Sequence, residues 1–229
     1  VTLVWDNGQG LSIQRTISLF DRNTLAGRLG ISIPDNVKSV GYESDNQIKN
    51  AGSVDWKKEN GLLSIWILCM MTPTEKTTAI VPFNAVPNAK SYITDDYFGK
   101  IPPERLVLKD SILYFTCDGK KRSKIGLSPA IAKPIAGSFD FTGNVLTIIQ
   151  FPVEKNGRYV NSKWELQKEP YKGDVVNSYN DGPLEDGSQL GPFYELESSS
   201  PAVELKSGEV QQYKQATFHF QGDYNSLAQ

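Results

Sequence analysis

The chain has 229 residues, 39% of them hydrophobic, 22% charged and 10% aromatic, which suits one globular domain with enough large side chains to fill a core. A formal charge of -2 offers polyanions no long-range attraction, so nucleic acid and anionic membrane surfaces are set aside as partners. Two cysteines, Cys69 and Cys117, are too few for a disulfide framework and lack metal-ligand spacing; two buried thiols or a single bridge are the alternatives.

The chain opens on Val1 and runs directly into "VTLVW", as a chain does when something upstream has been cleaved or truncated. In "LSIQRTISLFDRNTLA" (11–26), Ile13, Ile17 and Phe20 fit a helical face, but the Ile/Ser alternation and Thr16-Ile17 favour a strand through Phe20. "KSVGYE" reads as a strand. The longest apolar run, "LLSIWILCMM" (62–71), is too short to cross a bilayer and is fenced by Gly61 and Pro73, so it reads as a buried strand with Trp66 in the core. "TAIVPF" follows as another strand. "RLVLKDSILYF" (105–115) reads as a hairpin turning at Lys109-Asp110, and "FTCDGKKRSKIG" as a second hairpin turning at Asp118-Gly119. "VLTIIQF", "FYELE", "AVELK" and "VQQYKQATFHF" complete the strands, with 19 Gly and 13 Pro spread along the chain as turn punctuation. No segment repeats at a fixed period, and no low-complexity linker divides the chain. Many strands with short turns indicate an all-β sandwich or barrel over residues 1–229.

Several clusters carry polar chemistry, and each has a plain structural alternative. Glu195 and Glu197 are two apart on one predicted strand, so they share a face with Cα atoms about 6.5–7 Å apart. In a pocket, such a pair raises one carboxyl toward neutral pH and makes it a general acid or base; on a wet face it is ordinary surface. Two neighbours on one strand cannot flank a glycosidic bond, which excludes a glycosidase built from this pair alone. Arg122 and Lys124 alternate onto one face beyond the Asp118-Gly119 turn, placed to hold an anion or to solvate a turn. Trp56 and Trp164 lie in polar surroundings, as sugar-stacking platforms or half-buried structural rings. Asn177, Asn180 and Asp181 supply amides and a carboxylate suited to vicinal hydroxyls, or to any turn. His219, the single histidine, falls on the polar side of its strand, which excludes a three-histidine metal site.

"NQIKNAG", "DDYFGKIPPERL", "DGKKRSKIG", "YVNSKWELQ", "GDVVNSYNDGP", "LGPFYELESSSPAVELKSGE" and "FHFQG" together resemble an uncharacterised bacterial family of the galactose-mutarotase-like superfamily. The resemblance runs nearly end to end and corresponds to the C-terminal two thirds of longer members. It implies a supersandwich of antiparallel sheets with a carbohydrate as ligand; separately, the secreted-looking all-β chain is expected in a periplasmic or extracellular setting. The segment from Glu195 to Glu209 is similar to the end of aldose epimerases, which makes Glu197 the counterpart of their general base and Glu195 the second choice. The epimerases' acid is a mid-chain histidine, and no histidine precedes His219. Around the two acids the expected binding residues are Trp164, Asn177, Asn180, Asp181, Arg122, Lys124 and His219. No cofactor is required; calcium is the one candidate, through Glu195, Glu197 and Asp181, although no calcium loop is recognisable. An epimerase-like enzyme, a noncatalytic sugar-binding module and a cell-envelope structural or partner-binding domain all remain open.

Overall fold

The computed structural model describes residues 2–5, 10–163 and 165–228. In chain order it contains β1 (Thr2–Trp5), β2 (Leu11–Phe20), α1 (Arg22–Leu29), β3 (Lys38–Asn50), β4 (Trp66–Met71), β5 (Thr77–Pro82), β6 (Ile93–Thr94) and β7 (Leu106–Lys109). Then come β8 (Ile112–Thr116), β9 (Ser123–Leu127), β10 (Ile135–Asp140), β11 (Val145–Gln150), β12 (Val176–Asn180), β13 (Tyr194–Ser199), β14 (Val210–Gln221) and α2 (Tyr224–Leu227). The strands form two antiparallel sheets, one of nine in the order β1-β2-β3-β14-β11-β10-β5-β8-β7 and one of five in the order β4-β13-β12-β9-β6. The expected all-β architecture of layered antiparallel sheets is the one observed.

Period-two alternation explains how the sheets face each other. Ile67, Leu196, Val176, Ile125 and Leu127 of the five-stranded sheet pack in one core with Ala79, Val81, Leu113, Phe115, Ala136 and Ile149 of the nine-stranded sheet. Polar pairs tie the layers at defined points: Ser198 Oγ donates to Gln215 Oε1 at 2.7 Å, and Ser138 Oγ lies 2.9 Å from Tyr194 Oη. A satellite cluster of Leu25, Val37, Ala216, Phe218 and Phe220 covers part of the other face of the nine-stranded sheet beneath α1.

β2 stops at Phe20, as the alternation predicts, and the helix begins just beyond it. Asp21 caps α1 by accepting from Thr24 N at 2.7 Å, and Gly30 closes it in the left-handed conformation at φ 67°. The β7–β8 hairpin exists, but its turn lies one residue later than predicted, with Asp110 and Ser111 both at positive φ as a type I′ turn requires. The second predicted hairpin is not one. β8 belongs to the nine-stranded sheet and β9 to the five-stranded sheet, so Asp118-Gly119 carries the chain between layers. Asp118 is held there by Arg105 at 2.6 and 2.9 Å, and Gly119 N donates to Asn180 Oδ1 at 2.8 Å. "AVELK" makes only an isolated bridge, Leu205 to Trp56, and Trp56 is buried structural packing. Both cysteines are free thiols, Cys117 buried and Cys69 partly so. No helix among the described residues is long and apolar enough to cross a membrane.

Candidate functional site

The outer face of the five-stranded sheet is where the polar chemistry collects. β13 lies between β4 and β12, with Glu195 opposite Met70 and Tyr179, and Glu197 opposite Leu68 and Asn177. β9 then places Lys124 opposite Tyr179 and Gly126 opposite Asn177. Because Leu196 and Ile125 turn inward to the core, Glu195, Glu197, Tyr179, Lys124 and Trp66 turn outward together. Segments containing residues 97–98, 162–163 and 190–193 border the centre of this face, where Lys124, Glu195 and Glu197 are buried, while Trp66, Leu68 and Met70 along its β4 edge stay exposed. Tyr97, Phe98, Ser162, Leu190 and Phe193 from these segments complete a cavity of about 410 Å³ with Trp66, Arg122, Lys124, Glu195 and Glu197. That size lies within the range of small-ligand clefts, ~300–1,000 Å³.

Glu197 is fully buried and Glu195 is 5% exposed, which removes the wet-face alternative for the pair. Lys124 Nζ donates to Glu197 Oε2 at 2.8 Å, and Trp66 Nε1 donates to the same oxygen at 2.9 Å. The ammonium also sits 4.9 Å from the centre of the Trp66 ring and 5.3 Å from that of Tyr97. Glu197 Oε1 is buried and takes no hydrogen bond among the described residues. For Glu195, burial and then the neighbouring Glu197 charge push the carboxyl up to about 7, against the pull of Lys124. The cavity therefore sets the Lys124–Glu197 ion pair beside a Glu195 carboxyl that is partly protonated near pH 7.

The walls are fixed by a second set of bonds. Asn177 Nδ2 donates to Tyr97 Oη at 3.1 Å and to Ile125 O at 3.1 Å, and Tyr97 Oη donates to Asp174 Oδ2 at 2.7 Å. Burial pushes the Asp174 carboxyl and the Tyr97 phenol up from their ordinary values. Gly126 is required beneath this network, because a Cβ there would collide with the Asp174 carboxylate. On the other wall Arg122 Nε donates to Tyr179 Oη at 3.1 Å, Tyr179 Oη donates to Asp181 Oδ1 at 3.0 Å, and the Arg122 guanidinium lies 4.0 Å over the Phe98 ring.

The structure thus gathers Glu195, Glu197, Arg122 and Lys124 around one cavity, with Asn177 and Asp181 buried immediately behind its walls. Asn180 is turned to the opposite side, where it binds the β8–β9 crossover through Gly119 N and Lys121 O. His219 belongs to β14 of the other sheet, lies 2.9 Å from Thr147 Oγ1 through Nδ1, and lines a separate shallow depression with Lys38, Val40 and Val145. Burial lowers its pKa. Trp164 lies outside the described residues. The calcium set does not assemble: Asp181 is engaged by Tyr179 and by Gly191 N, and Glu197 Oε2 is occupied by an ammonium. Among the described residues no group of three or more acidic, histidine or cysteine side chains is arranged to hold a metal.

Trp66 is the main correction. It is 37% exposed at the cavity and hydrogen-bonded to Glu197, rather than buried in the core. Its apolar run fits a strand packed on both faces, yet Trp66, Leu68 and Met70 share the face of Glu195 and Glu197 and sit at an edge of the sheet. The sequence signal for that was the register of two strands separated by more than 120 residues, which no local pattern records.

Residues 6–229 match the family described as "Family of unknown function (DUF6786)". The chain belongs to that family. No curated protein matches this DUF6786 chain. Among solved structures it is similar to Slr1438 protein from Synechocystis sp. PCC 6803, at 11% identity and a TM-score of 0.46, over 97% of this chain and 66% of that one. It is also similar to two proteins each called "putative aldose 1-epimerase". One is from Klebsiella pneumoniae subsp. pneumoniae MGH 78578, at 11% identity and a TM-score of 0.48, over 99% of this chain and 55% of that one. The other is from Escherichia coli K12, at 10% identity and a TM-score of 0.49, over 84% of this chain and 68% of that one. The chain spans less than two thirds of the length of the Klebsiella protein and just under two thirds of Slr1438.

Proposed function

We propose that the cavity on the five-stranded sheet binds a sugar and that Glu195 and Glu197 exchange protons with its anomeric centre, interconverting the anomers of an aldose. The observation that carries this is the pair itself: two acids side by side on one strand, buried in an aromatic cavity, with only one of them held by Lys124. Anomer exchange needs a base at the anomeric hydroxyl and an acid at the ring oxygen, two atoms bonded to the same carbon. Neighbours on one face of a strand can reach both, whereas a glycosidase needs its carboxyls on opposite sides of the bond.

In the opening step Glu197 Oε1, the unpartnered oxygen, accepts the anomeric hydroxyl proton while the Glu195 carboxyl gives its proton to the ring oxygen. The bond between the anomeric carbon and the ring oxygen breaks, and the open-chain aldehyde forms. Rotation about the adjacent carbon–carbon bond and reversal of both transfers closes the other anomer. Lys124 and Trp66 keep the base charged and aimed, and the Trp66 ring offers an apolar surface to sugar C–H groups. The resemblance of "ELESSSPAVELKSGE" to the end of aldose epimerases, with Glu197 as counterpart of their base, supports the same assignment.

Polarimetry on a panel of freshly dissolved aldoses tests the proposal. At least one sugar should relax to its anomeric equilibrium faster with the protein than with buffer, and Glu197→Gln should abolish the acceleration. Unchanged rates across the panel would contradict it. The position of His219 on the other sheet favours a second reading, sugar binding without catalysis. Sugar-dependent quenching of Trp66 fluorescence with no acceleration would select that reading.

A further inference from the structure

The cavity contains a cation that the proton-exchange chemistry does not use. Lys124 is committed to Glu197, but Arg122 forms no salt bridge among the described residues. Its guanidinium is nonetheless held firmly. The Nε edge donates to Tyr179 Oη at 3.1 Å, and one face rests 4.0 Å over Phe98. Phe98 in turn packs edge-on against Tyr179 with ring centres 5.8 Å apart, and Tyr179 packs against Phe193 at 5.6 Å. Asp181, the nearest acid in this network, meets Arg122 only through the Tyr179 hydroxyl and is itself taken up by Gly191 N at 3.2 Å.

A guanidinium with its plane fixed by stacking and its Nε occupied keeps two parallel N–H donors at its far end. That fork matches the two oxygens of a carboxylate or phosphate, and because the side chain is already ordered, little rotamer freedom is lost on binding. Arg122 is also well placed along the sheet. It precedes Lys124 by two residues on the same face, so its backbone lies about 7 Å further along, beyond the two acids and not beside them. Lys163 lines the same cavity but lies 3.6 Å from the Glu165 carboxylate, which leaves Arg122 as the lining cation without an acidic partner among the described residues.

Resting on the sugar-site reading above, we infer that the preferred ligand is an acidic sugar, whose carboxylate or phosphate is held end-on by Arg122 while its anomeric centre lies at Glu195 and Glu197. The acids select the reacting end of the sugar and the arginine selects its charge. Neutral hexoses satisfy only the first of these contacts.

The test is a calorimetric titration of the full chain with matched sets: glucose, glucuronate and glucose 6-phosphate, then galactose, galacturonate and galactose 6-phosphate. Acetate and inorganic phosphate serve as free-anion controls. At least one acidic sugar should bind tenfold or more tightly than the neutral hexose of the same configuration, and the carboxylate and phosphate arms identify the anion. In Arg122→Gln the acidic-to-neutral affinity ratio should collapse toward one. Arg122→Lys, which keeps the charge but not the fork, should give an intermediate ratio and serves if the Gln variant does not fold. Neutral hexoses binding as tightly as their acidic partners would overturn the inference while leaving the sugar site standing. So would a ratio unaffected by either substitution, or free anions binding as tightly as the acidic sugars. Binding of no sugar of either kind would overturn both.

Discussion

Replacing Lys124 by Met tests the electrostatic centre of the site. The Lys124 and Glu197 side chains are 6% and 1% exposed, and their 2.8 Å contact is the single ion pair of each among the described residues. Without the ammonium, Glu197 keeps Trp66 Nε1 as its one donor, and a buried charge faces Glu195 instead of a cation. Removing one partner from a buried pair costs ~3–5 kcal/mol, because the other charge remains desolvated without compensation. For a chain of this length that corresponds to a fall in Tm of roughly 6–20 °C. Lys124→Met/Glu197→Gln should recover most of the loss, since the double variant buries neither charge and Gln still accepts from Trp66. Urea denaturation of the parent and both variants at pH 8 measures these differences. A single variant within about 1 kcal/mol of the parent at pH 8, or a double variant no better than the single, would refute the reasoning.

Three further outcomes follow from the same geometry. The Glu195 carboxyl ionises at about 7 in the fold against 4.5 ordinarily, so between those pH values the folded chain holds a proton that the unfolded chain has lost. Stability therefore falls as pH rises through this window, and Glu195→Gln should be about 1–2 kcal/mol more stable than the parent at pH 8, allowing for solvent screening, yet equal to it near pH 4; Tm profiles against pH check this. Trp66→Phe keeps a ring but removes a donor to a buried charge, and chemical denaturation should show a loss of about 1.5–3 kcal/mol. Gly126→Ala drives a methyl group into the Asp174 and Asn177 side chains; it should cost about 1–3 kcal/mol and, by displacing Tyr97, weaken sugar binding in titrations, whereas parental stability and affinity would count against the described wall.

The strands were legible because alternation is a local property. β2 ends where the Ile/Ser pattern ends, and the positive φ angles at Asp110 and Ser111 belong to a turn that the flanking residues announce within one position. The pairing of Glu195 with Glu197 was legible for the same reason, since strand geometry alone puts residues two apart on one face. What local pattern cannot carry is which strand becomes whose neighbour. Asp118-Gly119 has the residues of a hairpin turn, but Arg105 and Asn180, distant in sequence, hold it as a crossover between sheets. Trp66 looks like core because its neighbours are apolar on both faces, and its meeting with Glu197 is set by the β4–β13 register. Tyr97, Phe98 and Phe193 lie in connecting segments whose composition gives no sign that they fold over a sheet. His219 lies apart from the cavity because facing the polar side of a strand does not say which sheet that strand joins.

A crystal structure of the protein soaked with galactose and, separately, with galacturonate tests the central claim most directly. The account predicts a sugar in the cavity of the five-stranded sheet, its anomeric oxygen within hydrogen-bonding distance of Glu197 Oε1 and its ring oxygen within reach of Glu195. A sugar bound elsewhere, or bound in the cavity with its anomeric carbon turned away from both acids, would contradict it.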